Sequence, residues 1–105
     1  MFDQSATGYL QAREAALRDR ITELERQKSA AAAEQARNTA EWDAIRRQLE
    51  ARSGVPATRR GRGLSSEIAL AHRDSTKKGD QHLGFAKALV NEMPCTLAAL
   101  EAGVL

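Results

Sequence analysis

The chain reads as an all-α protein: one long N-terminal helix of coiled-coil-like pattern, a basic linker, and three short helices of an incomplete bundle. Three observations predict this class. Twenty of the 105 residues are Ala, the best helix former. No glycine follows Gly8 and no proline occurs until well past residue 50, so nothing interrupts helix over that span. No segment has the period-two alternation of a strand. With 42% hydrophobic, 29% charged and only 4% aromatic residues, the chain has length for one domain and little material for a thick core. A nuclease, kinase or dehydrogenase domain would use up nearly all of it.

Residues 1–53 are assigned to the long helix, a candidate coiled coil starting near Ser5 or Thr7. Its apolar residues fall into two interleaved seven-residue series. One is Leu10, Leu17, Leu24, Ala31, Asn38, Ile45; the other is Glu14, Ile21, Lys28, Gln35, Trp42, Leu49. Leu17, Ile21 and Leu24 therefore form one stripe, and Trp42, Ile45 and Leu49 a second on the same face. Between them Lys28, Gln35 and Asn38 occupy places that a tight coiled coil fills with Leu or Ile. The intervening SAAAAEQA is small and helix-favouring. Opposite charges at helical spacing, Glu14 with Arg18, Glu23 with Arg26, Glu34 with Arg37 and Asp43 with Arg47, add about 0.2–0.5 kcal/mol per pair. Such a helix runs to nearly 70 Å at about 1.5 Å per residue. The residues that follow are too few to cover it, so it is expected to pair with a second copy or to pack on a larger partner. Leu17, Ile21, Leu24, Trp42, Ile45 and Leu49 would carry that contact.

Residues 54–64 form the linker, marked by Gly54, Pro56, Gly61 and Gly63. Charge is concentrated here. Residues 1–51 and 63–105 each carry one more acid than base, whereas Arg52, Arg59, Arg60 and Arg62 stand with no acid between them, so they account for the formal charge of +2. A basic joint of this kind is either solvated surface or a contact to phosphate.

Residues 65–105 hold the short helices. Leu64, Ile68 and Ala71 share a face, with Leu70 beside them and Ser65 or Ser66 available as N-cap. Asp74, Ser75 and Thr76 break the pattern, and any of them can cap the next helix. Leu83, Ala86, Leu89, Val90 and Met93 then repeat at helical spacing from about Lys77. Pro94 ends that helix and suits the first position of another. Leu97, Leu100 and Val104 share a face, and Gly103 is a stop. Three short helices make a marginal core. With Val104-Leu105 apolar at the chain end, the sequence is expected to break off inside a larger fold.

Two stretches carry a family resemblance: GRGLSSEIALAHRDS and GDQHLGFAKALVNEMPCTLAALEAGVL. Residues 61–105 resemble the actinobacterial 13E12-repeat family, helical domains commonly followed by an HNH endonuclease domain. The signature elements are Leu83 to Val90, Met93-Pro94, and Thr96 to Gly103. The long helix fits the family's N-terminal style more loosely. Thr76 stands where the family often has proline, Cys95 where a His or another polar residue is usual, and relatives continue beyond residue 105. The resemblance implies the N-terminal region of such a protein, or a truncated remnant of one, without its nuclease segment.

The residues agree with a non-catalytic expectation. An HNH site needs a His general base and a divalent metal. The two histidines, His72 and His82, fall on predicted helices, and with Cys95 they match no common zinc spacing. Nothing in its sequence context activates Cys95 as a nucleophile. Gly61-Arg62-Gly63 has no preceding strand and is no phosphate loop. No catalytic residue, metal, cofactor or small-molecule substrate is expected. The break at 74–76 faintly resembles a helix-turn-helix, so Arg59, Arg60, Arg62, Arg73, Lys77, Lys78 and Lys87 are the candidate nucleic-acid contacts. The runner-up expectation is thus a DNA-binding accessory module. One cysteine and no long apolar run point to a cytoplasmic protein without membrane contact.

Overall fold

The computed structural model describes residues 4–104, except for the side chain of Thr76. Phe2, counted among the few aromatics, and Leu105, the apolar chain end, lie outside the described residues. The protein is all-α. Helix α1 spans Gln4–Arg52, a short 3₁₀ turn spans Ala57–Arg59, and helices α2 (Leu64–His72), α3 (Thr76–Glu92) and α4 (Pro94–Glu101) follow. The molecule is a rod with a bundle at one end, 81 × 28 × 19 Å, with a radius of gyration of 21.2 Å. A compact chain of this length has a radius near 13 Å. No helix among the described residues is long and apolar enough to cross a membrane.

Helix ends follow local chemistry. Gly54 takes a φ of 83° just past α1. The Val55 amide then donates to the Glu50 carbonyl (2.9 Å) and the Gly54 amide to the Ala51 carbonyl (3.2 Å). These bonds satisfy carbonyls that the helix leaves open, and the left-handed turn they need is open to glycine without a Cβ clash. The same pair of bonds ends α2, from Asp74 to Ala69 (2.7 Å) and from Arg73 to Leu70 (3.0 Å). There the left-handed residue is Arg73, at φ 58°. Ser75 caps α3, its hydroxyl accepting from the Lys78 amide at 3.3 Å. Pro94 opens α4, where a missing N–H costs no helical bond.

The core is built on small residues. Ala33 and Ala36 of α1 are buried against Ala86 and Leu89 of α3 and Leu97 of α4, with Val90 and Leu100 packed around them. Thr39 and Asp43 continue this buried face of α1. Alanines at these positions let the short helices approach the α1 backbone closely. On the other side of α3, Leu64, Ile68 and Ala69 of α2 are buried. Gly79 marks the crossing of α2 and α3: a Cβ built there would overlap the Ser65 carbonyl oxygen and lie 2.8 Å from Ala69 Cβ. Of the face expected for α2, Leu64 and Ile68 are buried, but its third member is Ala69 rather than Ala71. Ala69 is buried, while Ala71 and Leu70 are exposed.

Each short helix is also tied to α1 by one ion pair across the helices. Glu67 of α2 meets Arg46, Lys87 of α3 meets Asp43 at 3.4 Å, and Glu101 of α4 meets Arg37. Asp43 is buried and takes a second cation, Arg47, at 3.1 Å. Of the pairs expected within α1, Glu23–Arg26 (2.8 Å) and Asp43–Arg47 form. Arg18 pairs with its neighbour Asp19, and Arg37 is taken by Glu101.

Two of these ties titrate. The hydrogen bond from Arg37 holds the Glu101 carboxyl below the ordinary carboxylate range, and Arg46 does the same for Glu67. A folded-state pKa below the unfolded value of about 4.3 means the contribution is fully present above that pH. It is lost as pH falls through the folded value. Acidification from about pH 5 to about pH 3 is therefore expected to lower the thermal midpoint followed by circular dichroism, by loosening α2 and α4 from α1. Glu101→Gln should remove part of that acid dependence. An acid response identical to the unaltered chain would refute the Glu101 contribution.

Candidate interaction surface

The buried face of α1 leaves another face open. From residue 4 to residue 22 nothing is buried, and only Ala15 is half-buried. Leu17, Ile21, Leu24, Ile45 and Leu49 retain between 41% and 64% exposure, and Leu10 joins them at the N-terminal end. Trp42 is half-buried, because its ring borders a groove shared with Thr39, Ile68 and His72. Apart from Trp42, which α2 borders, both apolar stripes thus lie on surface that the short helices leave exposed. The residues just after α4, Gly103 and Val104, reach as far along α1 as Arg26 and Ile21. Two groups of large apolar side chains on one face of a helix of 49 residues, parted by Lys28, Gln35 and Asn38, are an unusual surface for a small chain.

The basic residues are not gathered into one patch. Arg60 bends back onto the end of α1, its Nε donating to the Val55 carbonyl at 2.9 Å. The Gly61 amide donates to Glu50 Oε1 at 2.8 Å, so the linker is folded onto the helix end. Lys87 is engaged by Asp43. Arg59, Arg62, Arg73, Lys77 and Lys78 are exposed. The first two sit near Glu50, and the other three follow His72, which lies level with Gln35 and Thr39. Eleven to fifteen helical residues separate those levels, about 16–22 Å along α1.

At the turn between α2 and α3, His72 and His82 stack, ring centroids 3.8 Å apart and 8° from parallel. His82 Nε2 lies 3.0 Å from Asp74 Oδ2, and this hydrogen bond holds the Asp74 carboxyl below its usual range. With Gln35, Thr39 and Phe85 the rings border an open cleft of about 170 Å³. Stacked rings aim their nitrogens in parallel rather than at a common point. No group of three His, Cys, Asp or Glu side chains among the described residues is placed to hold a metal ion. Cys95 is exposed on the first turn of α4.

Sequence reasoning named the open stripe but missed the buried one. Ala33, Ala36, Thr39 and Asp43 recur at three- and four-residue spacing, which is a helical face. Their small size and one charge hid it from a search for large apolar residues. Comparison of the chain with family models, with curated proteins and with solved structures returned no match.

Proposed function

We propose that the protein is a non-catalytic helical interaction module, acting by self-association or as a scaffold through the open stripe of α1. The observation that supports this reading is the exposure of Leu17, Ile21, Leu24, Ile45 and Leu49 on a helix whose other face is already occupied. Burying such side chains gives roughly 25 cal/mol per Å² of apolar area removed from water. The resemblance of residues 61–105 to the 13E12-repeat domains fits the same proposal. In this reading the chain corresponds to the N-terminal helical region of HNH-associated proteins and contributes assembly rather than hydrolysis.

Replacing Ile21, Leu24, Ile45 and Leu49 together with Asp is expected to abolish association in sedimentation at micromolar concentration. Helicity should stay close to that of the parent chain, because none of the four lies in the bundle core. Association that survives the four substitutions would overturn the reading. A second reading, a DNA-binding accessory module, draws on the exposed Arg59, Arg62, Arg73, Lys77 and Lys78. It predicts the reverse pattern: alanine at the linker arginines weakens DNA binding in a gel shift, and the Asp substitutions do not. Binding that vanishes by physiological salt would mark bulk electrostatics alone.

A further inference from the structure

We infer that the partner of the α1 stripe is a second copy of this chain, running antiparallel in one defined register. The inference rests on the interaction-module reading and names its partner. Its basis is the spacing of the two stripes. Leu17, Ile21 and Leu24 are separated by four residues and then three; Trp42, Ile45 and Leu49 by three and then four. Reversing one helix makes the second stripe superpose on the first. Leu17 then meets Leu49 of the second copy, Ile21 meets Ile45, and Leu24 meets Trp42. A two-fold axis repeats all three layers, so the pairing is self-complementary and closes as a dimer.

Charge selects the same orientation. A parallel, in-register pair would stack Lys28 on Lys28 and Glu14 on Glu14 within the seam, where like charges are desolvated together. The antiparallel register instead sets Lys28 against Asn38, Ala31 against Gln35, and Glu14 against Arg52. Like charges meet only on the flanks, Glu34 beside its own copy and Arg18 beside Arg46. Glu34 and Arg18 are exposed, where such contacts cost little, and Arg46, a quarter exposed, is neutralised by Glu67.

Shape agrees with this arrangement. The bundle covers one half of α1 and leaves no residue from 4 to 22 buried. In the antiparallel pair the bare half of each copy lies along the stripe borne by the bundled half of the other. Trp42, half-buried at the edge of its own bundle, receives Leu24 there. The weak middle of the seam falls at the axis, flanked on both sides by three apolar layers.

Disulfide trapping tests the register. In a Cys95→Ser background, Ile21→Cys and Ile45→Cys are prepared as separate chains and oxidised alone and mixed. The antiparallel register places residue 21 of one copy opposite residue 45 of the other. It separates the two copies of residue 21 by about 36 Å, far beyond disulfide reach. The expected result is a linked dimer in the mixture and loss of linkage in either variant alone. Self-linkage of Ile21→Cys equal to that of the mixture would overturn the register. A parent chain that sediments as monomer throughout the micromolar range would overturn the second copy as partner, while leaving the stripe as a docking face. Dimers that persist after the four Asp substitutions would instead refute the stripe itself. The two failures are therefore distinguishable.

Discussion

Gly79→Ala is expected to destabilise the bundle by about 2–3 kcal/mol, although alanine is the better helix former by about 1 kcal/mol. Gly79 sits inside α3 with ordinary helical geometry, so no backbone strain is involved. The cost comes from the crossing with α2, where the new methyl would overlap the Ser65 carbonyl oxygen and press on Ala69 Cβ. Backbone is not free to give way as a flexible side chain would. Relief requires α2 to move off α3, which uncovers Leu64 and Ile68, two of the largest fully buried side chains. Gly84→Ala on the same helix is the control. Nothing lies within 4 Å of the position its methyl would take. That substitution should gain up to about 1 kcal/mol from helix propensity alone. Urea unfolding followed by circular dichroism separates the two, and equal effects would refute the close crossing.

A loss of about 3 kcal/mol is expected for Leu89→Ala. Leu89 is 1% exposed and packs where α3 and α4 meet the alanine face of α1. Removing its branched end leaves a cavity walled by Ala33, Ala36, Ala86 and Leu97. The alanines have no side-chain length with which to fill it. In a core this small such a loss is comparable with the whole stability, so α3 and α4 should lose their docking on α1. Phe85→Ala removes more atoms from the same helix. Phe85 is 59% exposed, however, and its loss should cost well under half as much. A Phe85→Ala variant as unstable as Leu89→Ala would contradict the observed packing of α3.

Much of the architecture is legible from residue type and spacing. The stretch free of Pro, with Gly8 its one glycine, becomes α1, which ends one residue short of Ser53 in a turn at Gly54. Ser75 does cap α3, and Pro94 does open α4. The expected α3 face, with Ala86 and Leu89 at its centre, is the buried one. These features are local: a cap, a helix breaker or a single apolar face acts within a few residues, so one strand of text contains the whole cause. Less was legible for α2, whose nine residues are too few to define a face by period alone. Arg73 in a left-handed conformation had no sequence signal, since glycine or asparagine is the usual occupant.

By itself the sequence determined that the protein is helical, where its helices break, and that α1 bears a row of large apolar side chains. Only the tertiary structure decided which face of α1 the chain uses for its own core. That face is Ala33, Ala36, Thr39 and Asp43, and the leucine-rich row stays outside. The choice depends on what arrives to pack. Helices α3 and α4 come close because α1 is narrow there, and Lys87, Glu67 and Glu101 find Asp43, Arg46 and Arg37 only across space. A periodic pattern specifies that a helix has a face to bury, but the shapes and charges of its neighbours select which face that is.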